Sequence, residues 1–220
     1  VDEVVRTATR LRDDIRVFGT TPTLKHAVRG GRVNARVAWV LERLGIKPLI
    51  DFDNKGRPFK GGVKVGFGRA LSARAQRARH FAGGTPIKAM VVHADEGLDE
   101  ISIAGSTLVA ELRDGSISTY KISPEDVGLE VQSLEGLSVD SAEASAALIR
   151  GALSGAREPA ARKAAAIIAF NAGATIYVSG IAATLADGVA MAEDLLSSGQ
   201  AREKLKSFVD FTQLMRGDGS

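Results

Sequence analysis

The chain has 220 residues, 45% of them hydrophobic, enough apolar material for a packed core in one large or two small domains. It contains no cysteine, which excludes disulfides and thiolate metal sites, and no apolar run reaches the length needed to span a bilayer. The formal net charge of +3 hides an asymmetry: residues 1–84 carry 18 Lys+Arg against 7 Asp+Glu, whereas residues 85–220 carry 11 against 19. Such a split predicts two units of different origin, a basic one over 1–84 and an acidic one over 85–220.

The opening residues VDEVVRTATR are charged and amphipathic, unlike a secretory signal, and the absence of an initial Met leads us to expect a fragment. Val4, Val5, Ala8, Leu11 and Ile15 recur at helical steps and predict one apolar stripe on a polar helix. A brief strand is expected over Arg16–Gly19. Thr20, Thr21, Pro22 and Thr23 then carry helix-start chemistry for a short helix that stops at Gly30-Gly31. From Asn34 to Leu44 the spacing predicts a second helix with Val37, Val40, Leu41 and Leu44 on its packed face, Trp39 at the edge and Gly45 as the stop. Ile46–Phe52 and Arg57–Phe67 read as a hairpin around Asp53-Asn54-Lys55-Gly56. The helix over Arg69–Phe81 is basic, and Arg69, Arg74, Arg77 and Arg79 could face phosphates or solvent. Aromatic residues for base stacking are sparse there, so nucleic acid is not an expected partner.

Ile87 to Glu100 is the stretch around which the chain is organised. Ile87, Ala89, Met90, Val91 and Val92 predict a strand buried on both faces, between GGTP and the acidic DEGLDE. Ligands of open α/β sheets bind beyond the carboxyl ends of the strands, where Asp95, Glu96, Asp99 and Glu100 would lie. Mg²⁺ is commonly held by one or two carboxylates, with water and phosphate oxygens completing its shell, so Asp99-Glu100 is a candidate metal pair. A solvated acidic loop accounts for the same residues, and His93 at the strand end reads equally as a packed residue or as part of a site. Downstream, Thr107–Leu112 and Ser116–Ile122 predict a hairpin with an Asp114-Gly115 turn, and Ser123–Asp126 a helix entry. Ser141–Leu153, Pro159–Ser179, Leu185–Leu196 and Ala201–Met215 read as helices, with Asn171 as a buried, hydrogen-bonded structural residue and the tail GDGS loose.

Thr21-Pro22-Thr23-Leu24, Arg29-Gly30-Gly31-Arg32-Val33 and Ile46-Lys47-Pro48-Leu49-Ile50, in that order, resemble the DegV family over residues 1–94. The resemblance implies one lobe of a two-lobed α/β protein that holds a fatty acid. Arg29, Gly30, Gly31 and Arg32 become candidates at the lobe interface, though a Gly-Gly turn with solvated arginines explains them as well. The lobe that carries that family's serine motif has no counterpart here.

From Val91 onward a different resemblance takes over. Val91-Val92-His93, Gly97-Leu98-Asp99-Glu100-Ile101-Ser102, Thr107–Leu112, Ser123–Leu129, Ile149–Gly155 and Asn171-Ala172-Gly173-Ala174 resemble the C-terminal part of anthranilate phosphoribosyltransferase, over residues 85–215. That family is a Mg-dependent glycosyltransferase of tryptophan biosynthesis that joins phosphoribosyl pyrophosphate to anthranilate. Its GLDE carboxylates, which bind Mg²⁺, map to Asp99 and Glu100, and His93 and Gly97 become candidates on the diphosphate side. Ala94 stands where the family usually has Gly. The family's glycine-rich diphosphate loop, its Lys-His-Gly-Asn segment and its anthranilate-facing arginine have no counterpart in residues 1–84.

The combined expectation is an α/β protein with mixed sheets and flanking helices, a chimera of two partial domains joined between residues 83 and 95. Its function is expected to be that of a partial anthranilate phosphoribosyltransferase, inactive alone, with no catalytic residue assigned. A DegV-like fatty-acid or lipid-binding protein and a non-catalytic fusion stand as alternatives. A small-molecule ligand, a cytoplasmic location and a homo-oligomer complete the expectations, the last because each segment would expose faces that its missing domain normally covers.

Overall fold

The computed structural model describes residues 18–21, 23–29, 31, 33–52, 57–81 and 88–217. The expected helix over Val4–Ile15, Pro22, Gly30, Arg32, the Asp53–Gly56 turn, the GGTP-Ile87 approach and the last three residues lie outside these. The chain divides into two compact units, one taking the described residues up to Val91 with Ala110–Thr119, the other Val92–Val109 with Tyr120–Ser220.

In the first unit, β1 (Phe18–Thr20), β2 (Ile46–Phe52) and β3 (Pro58–Val65) form an antiparallel sheet in that order. The short helix α1 (Lys25–Arg29) and α2 (Ala35–Arg43) precede β2, and α3 (Phe67–Phe81) packs on the sheet. Asn34 caps α2 by accepting from the Arg36 N–H, and Gly45, at φ +64°, ends its last turn as the spacing predicted. The β2/β3 hairpin contains a bulge: Leu49 pairs with Gly62 and Ile50 with Lys60, leaving Gly61 as the extra residue. A Cβ at Gly61 would stand 2.7 Å from Asp51 Oδ1, so the glycine is needed for close approach.

That carboxylate explains the basic helix. Asp51 is 6% exposed and receives Arg74 Nη1 at 2.5 Å and Arg77 Nη2 at 3.1 Å. Arg74 is 3% exposed because it sits three and four residues after Leu71 and Ala70, on the face that α3 buries. The reading of Arg74 and Arg77 as part of an outward basic surface is therefore corrected: both are drawn onto a buried carboxylate. The packed face expected for α2 is also corrected. Ala38 is its buried residue, while Val37, Val40 and Leu44 are exposed and Trp39 is 66% exposed. The small Ala38 side chain lets the helix approach closely, and the larger apolar residues lie round the helix from it.

Strands β4 (Ala89–Ala94), β5 (Thr107–Arg113) and β6 (Ser116–Ile122) form a second three-stranded sheet in that order. The β5/β6 hairpin turns at Asp114 and Gly115, both at positive φ, as the Asp-Gly pair predicted. Burial of β4 on both faces is not observed. Ala89 to Val92 are half-buried, and only His93 and Ala94 are buried, because a sheet this small does not enclose the strand along its length.

The second unit continues through a 3-10 turn (Pro124–Val127), closed by reciprocal hydrogen bonds of Ser123 and Asp126, to α4 (Ala142–Leu153), α5 (Pro159–Val178), α6 (Leu185–Ser197) and α7 (Gln200–Gly217). Ser141 and Thr184 cap α4 and α6. Helices α5 and α6 cross at a pair of glycines. A Cβ at Gly173 would meet the Val189 backbone at 2.6 Å, and one at Gly188 would collide with the Gly173 carbonyl. The alanine-rich sequence of α5 serves this close crossing, with Phe170, Ala169 and Val189 fully buried around it. On α7, Phe208, Phe211 and Leu214 remain exposed.

Candidate functional site

The loop between β4 and β5 lies wholly in the second unit and is built from its backbone outward. Ala94 N–H donates to Leu98 O at 3.1 Å, Gly97 N–H to Ala94 O at 2.9 Å, and Asp95 N–H to Ser106 O at 2.9 Å. Gly97 takes φ +93° inside this turn. Beyond it the chain dives into the core: Ile101 and Ile103 are buried, and Gln132 N–H donates to Ile103 O at 2.8 Å. Ser102 N–H donates to Thr107 Oγ1 at 3.1 Å, and Ala104 N–H to Ser102 Oγ at 3.0 Å. Asp99 and Glu100 thus stand on a short exposed arc between two anchored segments.

The charges on this arc are partitioned. Asp95 is paired with Lys121, Oδ2 to Nζ at 2.6 Å. Asp99, with its side chain 91% exposed, lies 3.8 Å from His93 Nδ1, and Glu100 is exposed. Burial holds the His93 imidazole below its ordinary 6.5, while the carboxylates of Asp99 and Asp95 pull in the opposite direction. Among the described residues no group of three or more His, Asp or Glu side chains converges as a metal cage. An adjacent exposed carboxylate pair suits a hard cation that keeps most of its shell for water and phosphate oxygens.

Asn171, on α5, reaches this loop. Its Oδ1 accepts from Ile101 N–H at 2.9 Å, and its Nδ2 donates to Ile101 O at 2.9 Å and to Ile167 O at 3.0 Å. The expectation of a hydrogen-bonded structural residue is met, although it is half-buried. Its partner was not legible, because nothing in local spacing links residues 70 positions apart.

The remaining sequence candidates lie in the first unit. Arg29 is exposed at the end of α1, and Gly31 is exposed at φ +69°; Gly30 and Arg32 are outside the described residues. The hydroxyls preceding α1 donate to protein acceptors: Thr20 to Pro48 O at 2.7 Å, Thr21 to Thr23 O at 2.7 Å and Thr23 to Glu42 Oε1 at 2.9 Å. The same Glu42 oxygen receives Leu24 N–H at 2.7 Å, and that backbone bond, followed by the Thr23 hydroxyl, lowers the carboxyl below its ordinary value. Two open clefts of the second unit, of about 560 and 530 Å³, are lined by other residues, the larger by Leu129, Arg157, Arg162 and Glu193 and the smaller by Ile149, Leu205 and Val209. No helix of the described residues is long and apolar enough to cross a membrane.

The family model described as "Glycosyl transferase family, a/b domain" matches residues 73–202, and the model for the DegV family, described as an uncharacterised protein, matches residues 1–125. The anthranilate phosphoribosyltransferase of Saccharophagus degradans is 62% identical over 125 residues, which are 57% of this chain and 37% of the relative. That of Teredinibacter turnerae is 55% identical over the same shares. Among solved structures, anthranilate phosphoribosyltransferase from Thermus thermophilus superposes with a TM-score of 0.56 at 33% identity, covering 66% of this chain and 40% of that one. A serine-to-alanine variant of the Saccharomyces cerevisiae enzyme, with Mg bound, gives 0.54 at 25% identity, covering 64% and 39%. The chain spans less than half the length of these relatives, and the two family matches overlap over residues 73–125.

Proposed function

Since the chain belongs to the glycosyl transferase family through an a/b domain at residues 73–202 and to the DegV family through residues 1–125, we propose that it joins two partial proteins and that its second unit retains the magnesium and diphosphate side of a phosphoribosyltransferase site. The substrate class is phosphoribosyl pyrophosphate, with anthranilate as the acceptor of the complete enzyme. The observation that carries this reading is the exposed Asp99-Glu100 pair on an anchored arc, within residues 73–202 that the glycosyl transferase family model matches.

Asp99 and Glu100 would hold the ion. Magnesium, when bound, offsets the negative charge that develops on a departing diphosphate. Around it, Lys121 engages Asp95, while Asp99 and Glu100 keep their side chains exposed. The Mg-bound yeast relative supports magnesium as the cation. We place the junction between residues 83 and 95, inside the overlap of the two family matches and close to the change in charge balance.

Calorimetric titration of pyrophosphate with and without Mg²⁺ tests the reading. Diphosphate binding that requires Mg²⁺, and is lost in the double variant Asp99→Asn with Glu100→Gln, is expected. Unchanged diphosphate affinity in that variant would remove the assignment. Anthranilate consumption with phosphoribosyl pyrophosphate is expected to be absent, since residues 1–84 lack the family's diphosphate loop.

A further inference from the structure

We infer that Asn171 is a positioning residue for the Asp99-Glu100 pair, acting through the backbone of Ile101. The inference rests on the reading of that pair as the magnesium ligands. A side-chain amide is the hydrogen-bonding complement of a peptide group, and Asn171 uses it so: Oδ1 takes the Ile101 N–H and Nδ2 gives to the Ile101 carbonyl, both at 2.9 Å. The second Nδ2 proton goes to Ile167 O at 3.0 Å, one turn back on α5, which holds the amide in its rotamer. Ile101 is the residue directly after Glu100, and its own side chain is buried. With both polar groups of Ile101 bound to one side chain, the backbone leaving the carboxylate pair has its position set by α5.

Helix α5 is a firm anchor for this purpose. Its crossing with α6 at Gly173 and Gly188 leaves no space for a Cβ on either glycine, so the two helix backbones pack in close contact there. Asn171 lies two residues before Gly173, next to this crossing. On the near side, the backbone before Asp99 and Glu100 is held by the Ala94–Leu98 turn and by the Asp95 N–H bond to Ser106 O, and both side chains are exposed. Two adjacent carboxylates bind a cation well when their separation is preset, and groups that orient ligands from behind typically change metal affinity about 10- to 100-fold when removed.

The test uses the full chain and Mn²⁺ as a paramagnetic substitute for Mg²⁺, titrated with pyrophosphate and read by electron paramagnetic resonance. Amide hydrogen exchange is followed over residues 98–104. Asn171→Ala is expected to weaken Mn²⁺ binding about ten-fold or more and to accelerate exchange at Ile101, with protection elsewhere in α5 retained. Phe170→Leu, a destabilising change at the neighbouring buried position, is expected to lower the melting temperature without moving Mn²⁺ affinity. Equal loss of affinity in both variants would reduce Asn171 to a general stability role, and unchanged affinity and exchange in Asn171→Ala would overturn the inference outright. Should Asn171→Ala not fold, Asn171→Ser carries the same measurements. If the unsubstituted chain binds no Mn²⁺ with pyrophosphate, the site reading fails. The clamp is then decided by exchange alone, faster exchange at Ile101 upholding it and unchanged exchange rejecting it.

Discussion

Each unit places its most distinctive carboxylates at a sheet, and the two make opposite use of them. In the first, Asp51 on β2 is buried and consumed by Arg74 and Arg77, with Gly61 giving it room. In the second, Asp99 and Glu100 follow β4, remain exposed, and have their backbone held while their oxygens face solvent. A buried charge stripped of its partner is costly, so Asp51 is committed to the fold. An exposed pair on an anchored arc costs little to keep and remains available to a ligand. The difference teaches that the basic excess of residues 1–84 is partly internal structure, and that the acidic excess after residue 85 includes the candidate site.

The sharpest way to break this contrast is Asp51→Ala, which leaves the buried Arg74 guanidinium without its counter-charge. A loss of about 3–5 kcal/mol is expected, read by urea unfolding, and a loss below about 1 kcal/mol would return Arg74 and Arg77 to an ordinary surface role. Gly61→Ala attacks the same cluster from the sheet. Its Cβ would press on Asp51, with an expected cost of about 1–3 kcal/mol in the same measurement. Glu42 sharpens the comparison through pH. Its folded carboxyl titrates below the ordinary 4.5, so its contribution is present above that value and is lost as pH falls through the lower folded value. Thermal melts across this acidic range are expected to show a shallower decline for Glu42→Gln, and parallel curves would refute the role of Glu42 at the start of α1. The smallest effect is expected for Asp99→Asn with Glu100→Gln. Stability should stay within about 0.5 kcal/mol of the parent while Mg-dependent diphosphate binding disappears; a large stability loss would show that these carboxylates are structural.

Much of the architecture was legible in local pattern. Asn34 and Ser141 announced helix starts, Gly45 a helix end and Asp114-Gly115 a hairpin turn, because capping and turn chemistry act over a few residues. The order of the helices after Ser141 followed from the same signals, and the acidic turn after β4 was visible as a composition change. Burial was less legible. The apolar positions of α2 repeat at helical spacing, yet Ala38 is the residue that packs, since periodicity identifies a stripe without saying what lies opposite it. Arg74 shows the converse: its place on the apolar side of α3 was a signal available in the spacing with Leu71 and Ala70, obscured by the count of arginines around it.

The sequence by itself therefore determined most element types among the described residues, the two-part composition, the family membership of each part and the identity of the exposed carboxylate pair. The tertiary structure alone decided which charges were spent internally and what holds the pair. Asp51 meets Arg74 across 23 residues and Asn171 meets Ile101 across 70, distances at which no local propensity or periodicity operates. Such contacts depend on helices and strands already packed, because a hydrogen bond or ion pair selects its partner only after the backbone has brought both within about 3 Å.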